Sequence, residues 1–104
     1  MRTFLNCEKG FVEKPQWQPN SWINIECPDA SDLKYLILDL KVPESFLDDI
    51  ADTDERPRIE TEGNWLLTIL RVPIPNSNNG TDTPFTTVPI GILTNNEIFI
   101  TVCH

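Results

Sequence analysis

Positive charge is scarce in this chain. Eight Lys and Arg face 16 Asp and Glu among its 104 residues, a net charge of -8 and a pI near 4.4. Phosphate neutralisation needs clustered Lys and Arg, so nucleic acid is excluded as a partner. An anionic membrane surface is excluded on the same ground. Cations and basic partners remain. There is one histidine, His104, at the last position. That removes most hydrolytic triads, and since nothing else in the sequence resembles an active site, we expect no enzyme. The glycines stand singly at 10, 63, 80 and 91, so no phosphate-cradling loop exists. No apolar run approaches the roughly 18–20 residues that span a bilayer, and the first ten residues lack the apolar region of a signal peptide. Cysteine is sparse and odd in number (Cys7, Cys27, Cys103), which reads as reduced thiols in a cytosolic compartment. The Asn79-Gly80-Thr81 sequon then reads as a turn.

What is present is enough for one domain. Hydrophobic residues make up 39% of the chain, and nine prolines divide it into short elements. Residues 3–7 form a strand, with Phe11 and Val12 pairing back across a Glu8-Lys9-Gly10 turn. Residues 22–27 form another, with Ile23, Ile25 and Cys27 on its apolar face. Ser31 or Asp29 caps a helix whose stripe is Leu33, Leu36, Ile37 and Leu40. A second helix starts at Pro43 and buries Phe46, Leu47 and Ile50. Residues 58–61 and 65–72 are arms of a hairpin around Glu62-Gly63-Asn64. The apolar run 66–70 predicts a strand buried on both faces, ended by Pro73 and Pro75. Residues 76–84 form a polar loop. Strands at 85–93 and 98–103 follow, the first with an edge or bulge at Pro89. The pattern is an α+β fold: a mixed, mostly antiparallel β-sheet with helices packed on it. The sequence stops inside an apolar strand, so we expect residues 1–104 to be a single N-terminal domain of a longer protein.

Eight of the acidic residues fall between Glu44 and Glu62. Asp48 and Asp52 lie one helical turn apart, as do Asp49 and Asp52. Carboxylates at that spacing repel unless something positive lies between them. A divalent cation would serve, since Mg²⁺ and Ca²⁺ prefer hard oxygen ligands. So would Arg56 or Arg58, in which case the segment is a solvated helix end with a salt-bridged turn. An EF-hand does not fit: no glycine or terminal glutamate falls where its loop needs one. Cys103-His104 is no zinc site, because strand neighbours point to opposite faces. Trp17, Trp22 and Trp65 read as core and interface anchors before they read as a binding surface.

Three stretches in this order carry a resemblance: Trp22-Ile23-Asn24-Ile25, then Val42-Pro43-Glu44-Ser45-Phe46-Leu47-Asp48-Asp49-Ile50, then Asp54-Glu55-Arg56-Pro57-Arg58-Ile59-Glu60. With the strands around Leu66–Arg71 and Gly91–Thr101, the set resembles the N-terminal cytoplasmic domain of the CorA family of magnesium transporters. The resemblance implies the cytoplasmic domain of a membrane protein that assembles as a homopentamer, with a stalk helix and two transmembrane helices beyond this segment. It implies that the family's Gly-Met-Asn pore motif lies elsewhere, since Met1 is the only methionine here. It further implies a regulatory Mg²⁺ held by Asp49, with Asp48 accompanying it, against an acidic residue on the stalk helix of a neighbouring subunit. Filling that site favours the closed state. Arg56, Pro57 and Arg58 read as structural, a fixed turn ion-paired to nearby acids. Two alternatives stay open: a zinc-transporting relative, or a stand-alone acidic interaction module that binds no metal.

Overall fold

A computed structural model describes residues 1–75 and 84–104. The first three strands are β1 (Arg2–Cys7), β2 (Phe11–Lys14) and β3 (Ser21–Glu26). Two helical segments follow, α1 (Ala30–Lys34), which widens into a π-helical turn (Tyr35–Asp39), and α2 (Glu44–Ala51). The chain ends in β4 (Arg58–Glu62), β5 (Trp65–Pro75), β6 (Phe85–Thr94) and β7 (Phe99–Cys103). All seven strands join one sheet in the order β2-β1-β3-β7-β6-β5-β4. β3 and β7 pair in parallel, with Ile23 opposite Ile100 and Ile25 opposite Val102; the other pairings are antiparallel. The expected α+β class, with its mixed and mostly antiparallel sheet, is what the chain adopts.

The polar ends of α1 explain where it starts. Asp29 is the cap: its side chain accepts from the Asp32 N–H at 2.8 Å, and the Asp32 carboxylate accepts from the Asp29 N–H at 3.1 Å. This reciprocal box satisfies two donors that the first turn leaves open. Ser31 lies inside the helix instead. Past Lys34 the helix widens, and the Leu40 N–H reaches back to the Tyr35 carbonyl. Leu36 is fully buried, while Leu33, Ile37 and Leu40 pack at the core's margin. Pro43 precedes α2, and Phe46, Leu47 and Ile50 form its buried face as the spacing requires.

The helices cover one face of the sheet. Ile23, Ile25, Leu67, Ile69, Leu93, Ile100 and Val102 point into that layer and are almost wholly enclosed. α2 lies so close to β6 that a Cβ on Gly91 would sit 2.3 Å from Ile50 Cδ1. Trp65 is core, Trp17 packs at its edge, and Trp22 donates from Nε1 to Thr101 Oγ1 at 2.8 Å on the opposite face.

Three expectations give way here. The run 66–70 is buried on one face only: Leu67 and Ile69 are enclosed, whereas Leu66 and Leu70 are 36% and 45% exposed. No helix among the described residues covers the second face, so antiparallel alternation applies. Cys27 is not on the apolar face. It leaves β3 with φ 46° and is exposed. Pro73 does not end β5, which runs on to Pro75 against Phe85. Pro73, Pro75 and Pro89 share one parity of the β5–β6 register, which lets their nitrogens face away from the partner strand without costing it a donor. Pro89 itself lies where β6 outruns β7, whose pairing begins at Ile90, so the expected edge is present. The expected loop at 76–84, apart from Pro84, and the Asn79 sequon lie outside the described residues.

Candidate functional site

The acidic end of α2 is built against its own helix. Asp48, Asp49 and the C-cap Asp52 crowd the last turn, which holds no basic residue. A helix C-terminus already carries partial negative charge, so these carboxylates are electrostatically opposed by the peptide dipoles. Asp52 is used locally, its Oδ1 accepting from the Asp54 N–H at 2.9 Å. Asp48 is exposed and makes no ion pair among the described residues.

Asp49 differs from its neighbour. Its side chain is 32% exposed, and Oδ2 pairs with Arg58 Nη2. Arg58 arrives there through sheet register. It is the first residue of β4 and sits opposite Ile69, which in turn sits opposite Gly91, where α2 rests. The same guanidinium serves two further acids: Nε pairs with Glu55 Oε1 at 2.9 Å, and Nη1 pairs with Glu60. The hydrogen bonds it donates to Glu60, then Glu55, then Asp49 make this guanidinium hold its proton more firmly than a free one. Arg71 anchors the connecting loop from the other side. Its Nη1 donates to the Thr53 and Glu55 carbonyls, each at 2.9 Å, while Nε and Nη2 hold Thr87.

Asp48 and Asp49 are thus adjacent in sequence and unequal in circumstance. Among the described residues, no group of three or more Asp, Glu, His or Cys is arranged to hold a metal ion. Asp48, Asp49 and Asp52 are therefore not gathered into a cage. The positive charge that their spacing demands is supplied, for Asp49, by Arg58; Arg56 is exposed. Glu60 and Arg71 were not singled out by sequence. Glu60 follows Arg58 at the two-residue spacing of one strand face, a legible signal. Arg71 gives none, because three of its four acceptors are backbone carbonyls. A cavity of about 600 Å³, lined by residues including Arg2, Lys34, Tyr35 and Asp39, shares no residue with this acidic end.

Comparisons with known proteins bear on this arrangement. A family model described as CorA-like Mg²⁺ transporter protein matches residues 17–104. No curated protein matches the chain. Among solved structures, the soluble domain of CorA from Methanocaldococcus jannaschii aligns over 99% of this chain and 40% of its own, at 19% identity and a TM-score of 0.75. The complete CorA magnesium transporter from the same organism aligns over 99% of this chain and 32% of its own, at 20% identity and a TM-score of 0.72. The ZntB cytoplasmic domain from Vibrio parahaemolyticus aligns over 96% and 42%, at 21% identity and a TM-score of 0.67. The chain spans 32–42% of the length of these structures. No helix among the described residues is long and apolar enough to cross a membrane.

Proposed function

The chain belongs to the family of CorA-like Mg²⁺ transporter proteins, and from that premise we propose that it is the cytoplasmic N-terminal domain of a divalent-cation transporter whose open and closed states it helps to balance. The supporting observation is the exposed Asp48, without an ion pair among the described residues, beside a partly exposed Asp49 at the negative end of α2. Hard carboxylate oxygens suit Mg²⁺, which keeps most of its water and takes only one or two protein carboxylates. Asp48 and Asp49 would supply that part of the shell. The rest would come from water and from an acidic residue on the stalk helix of a neighbouring subunit in a homopentamer. There the cation supplies charge neutralisation between subunits. Without it, like charges face each other, and the population shifts away from the closed state by the difference in cation affinity between the two states. The ion carried is chosen elsewhere in the protein, since the Gly-Met-Asn pore motif has no counterpart in a chain whose only methionine is Met1.

Cation flux through the full-length protein tests this. With Asp49→Ala, the Mg²⁺ concentration that closes it should rise about fivefold or more, the usual lower scale of a coupling between sites. An unchanged dose-response would remove Asp49 from the mechanism.

A further inference from the structure

Arg58 is, among the described residues, the only cation ion-paired to a carboxylate of the α2 end and its turn. Its three nitrogens address three acids from three different elements: Asp49 on α2, Glu55 in the turn and Glu60 on β4. A guanidinium presents its donors in a fixed planar fork, so this division of labour holds it in one place. Asp48 shares none of it.

We propose that Arg58 is the resident counter-ion of Asp49 and that it sets the divalent-cation concentration at which the α2 end responds. The inference rests on the reading above only in taking Asp49 as the responsive carboxylate. A cation reaches the paired oxygen of Asp49 by displacing a guanidinium that Glu55 and Glu60 keep close by. The displaced charge stays nearby and repels the newcomer. Mg²⁺ also gives up water reluctantly, whereas Arg58 already stands in contact. The threshold is therefore a competition between an internal monovalent cation and an external divalent one.

The test is an amide NMR titration of the chain with MgCl₂, read at Asp48 and Asp49 against NaCl of equal ionic strength. The native chain, Arg58→Gln and Arg58→Lys are compared. Arg58→Gln should show a saturable shift at Asp49 with a midpoint about tenfold or more below that of the native chain, the sense expected when a competing charge is removed. Arg58→Lys should fall between, because one ammonium replaces a three-nitrogen fork. Adding Asp49→Asn to Arg58→Gln should abolish the saturable shift. Equal midpoints in the native chain and Arg58→Gln would overturn the proposal, as would a shift that survives Asp49→Asn. Should Arg58→Gln fail to fold, a Lys midpoint no lower than the native one would overturn it equally. The flux experiment separates the two ideas: an unchanged response with Asp49→Ala, beside a lowered NMR midpoint in Arg58→Gln, defeats the gating role and leaves the competition standing.

Discussion

Asp32 is 3% exposed, the most enclosed ionisable group among the described residues. It pairs with the Met1 ammonium at 2.9 Å and with Arg2 Nε at 3.2 Å, and it closes the α1 cap. Burial pushes its carboxyl up. The hydrogen bonds from Met1 and Asp29 and the charges of Met1 and Arg2 together outweigh that and hold it below its ordinary 3.8. The folded state therefore favours the ionised form. Its stabilisation is complete above about pH 4 and is lost as pH falls through the lowered folded value. Urea unfolding of the native chain should show that loss, and Asp32→Asn should not. At pH 7 Asp32→Asn should cost about 1–2 kcal/mol, because charge-assisted hydrogen bonds to Met1 and Arg2 are lost while both cations can return to water. Asp29→Ala removes only the cap and should cost about 1 kcal/mol in the same assay. The sequence offered Asp29 as one of two caps. It did not point to Asp32, although Asp-x-x-Asp is a readable variant of the capping box. What stayed hidden was the arrival of Met1 and Arg2, which depends on β1 pairing with β3.

The contact between α2 and β6 is the element-scale feature that places the acidic end. Gly91 leaves room for Ile50, and a methyl there meets the end of a buried, 1% exposed side chain. Gly91→Ala should cost about 1–3 kcal/mol as overpacking. Combining it with Ile50→Ala should cost less than the two changes summed, a coupling that thermal unfolding of the four variants would measure. β5 supplies a contrast within one strand. Leu67→Ala should cost about 2–5 kcal/mol, as loss of a fully buried side chain does. Leu66→Ala should stay within about 0.5 kcal/mol in this chain. Comparable losses at both positions would mean that the second face of the sheet is covered. Strand periodicity and the helical stripe were legible because alternation and 3.6-residue spacing record burial directly. The exposure of Leu66 and Leu70 was not, since an apolar residue on an open face reads like one in a core. The departure of Cys27 turns on a positive φ, for which Pro28 was the only nearby hint.

At the scale of the whole molecule, two antiparallel groups of strands meet along the parallel β3–β7 pair, and the helices between them in sequence cover one face. This arrangement carries the α2 end to the rim, where Asp48 is exposed and Asp49 is held by Arg58. The acidic segment was legible as a place needing positive charge. Which cation answers was not, because Arg56 and Arg58 are equally near in sequence and only the register of β4 on β5 chooses between them. The most direct test of the cation-responsive role is amide hydrogen exchange at residues 47–52 in the assembled full-length protein, with and without Mg²⁺. Mg²⁺ should slow exchange there much more in the assembly than in the 104-residue chain, which lacks the neighbouring subunit's carboxylate. Equal exchange in the assembly with and without Mg²⁺ would contradict the account.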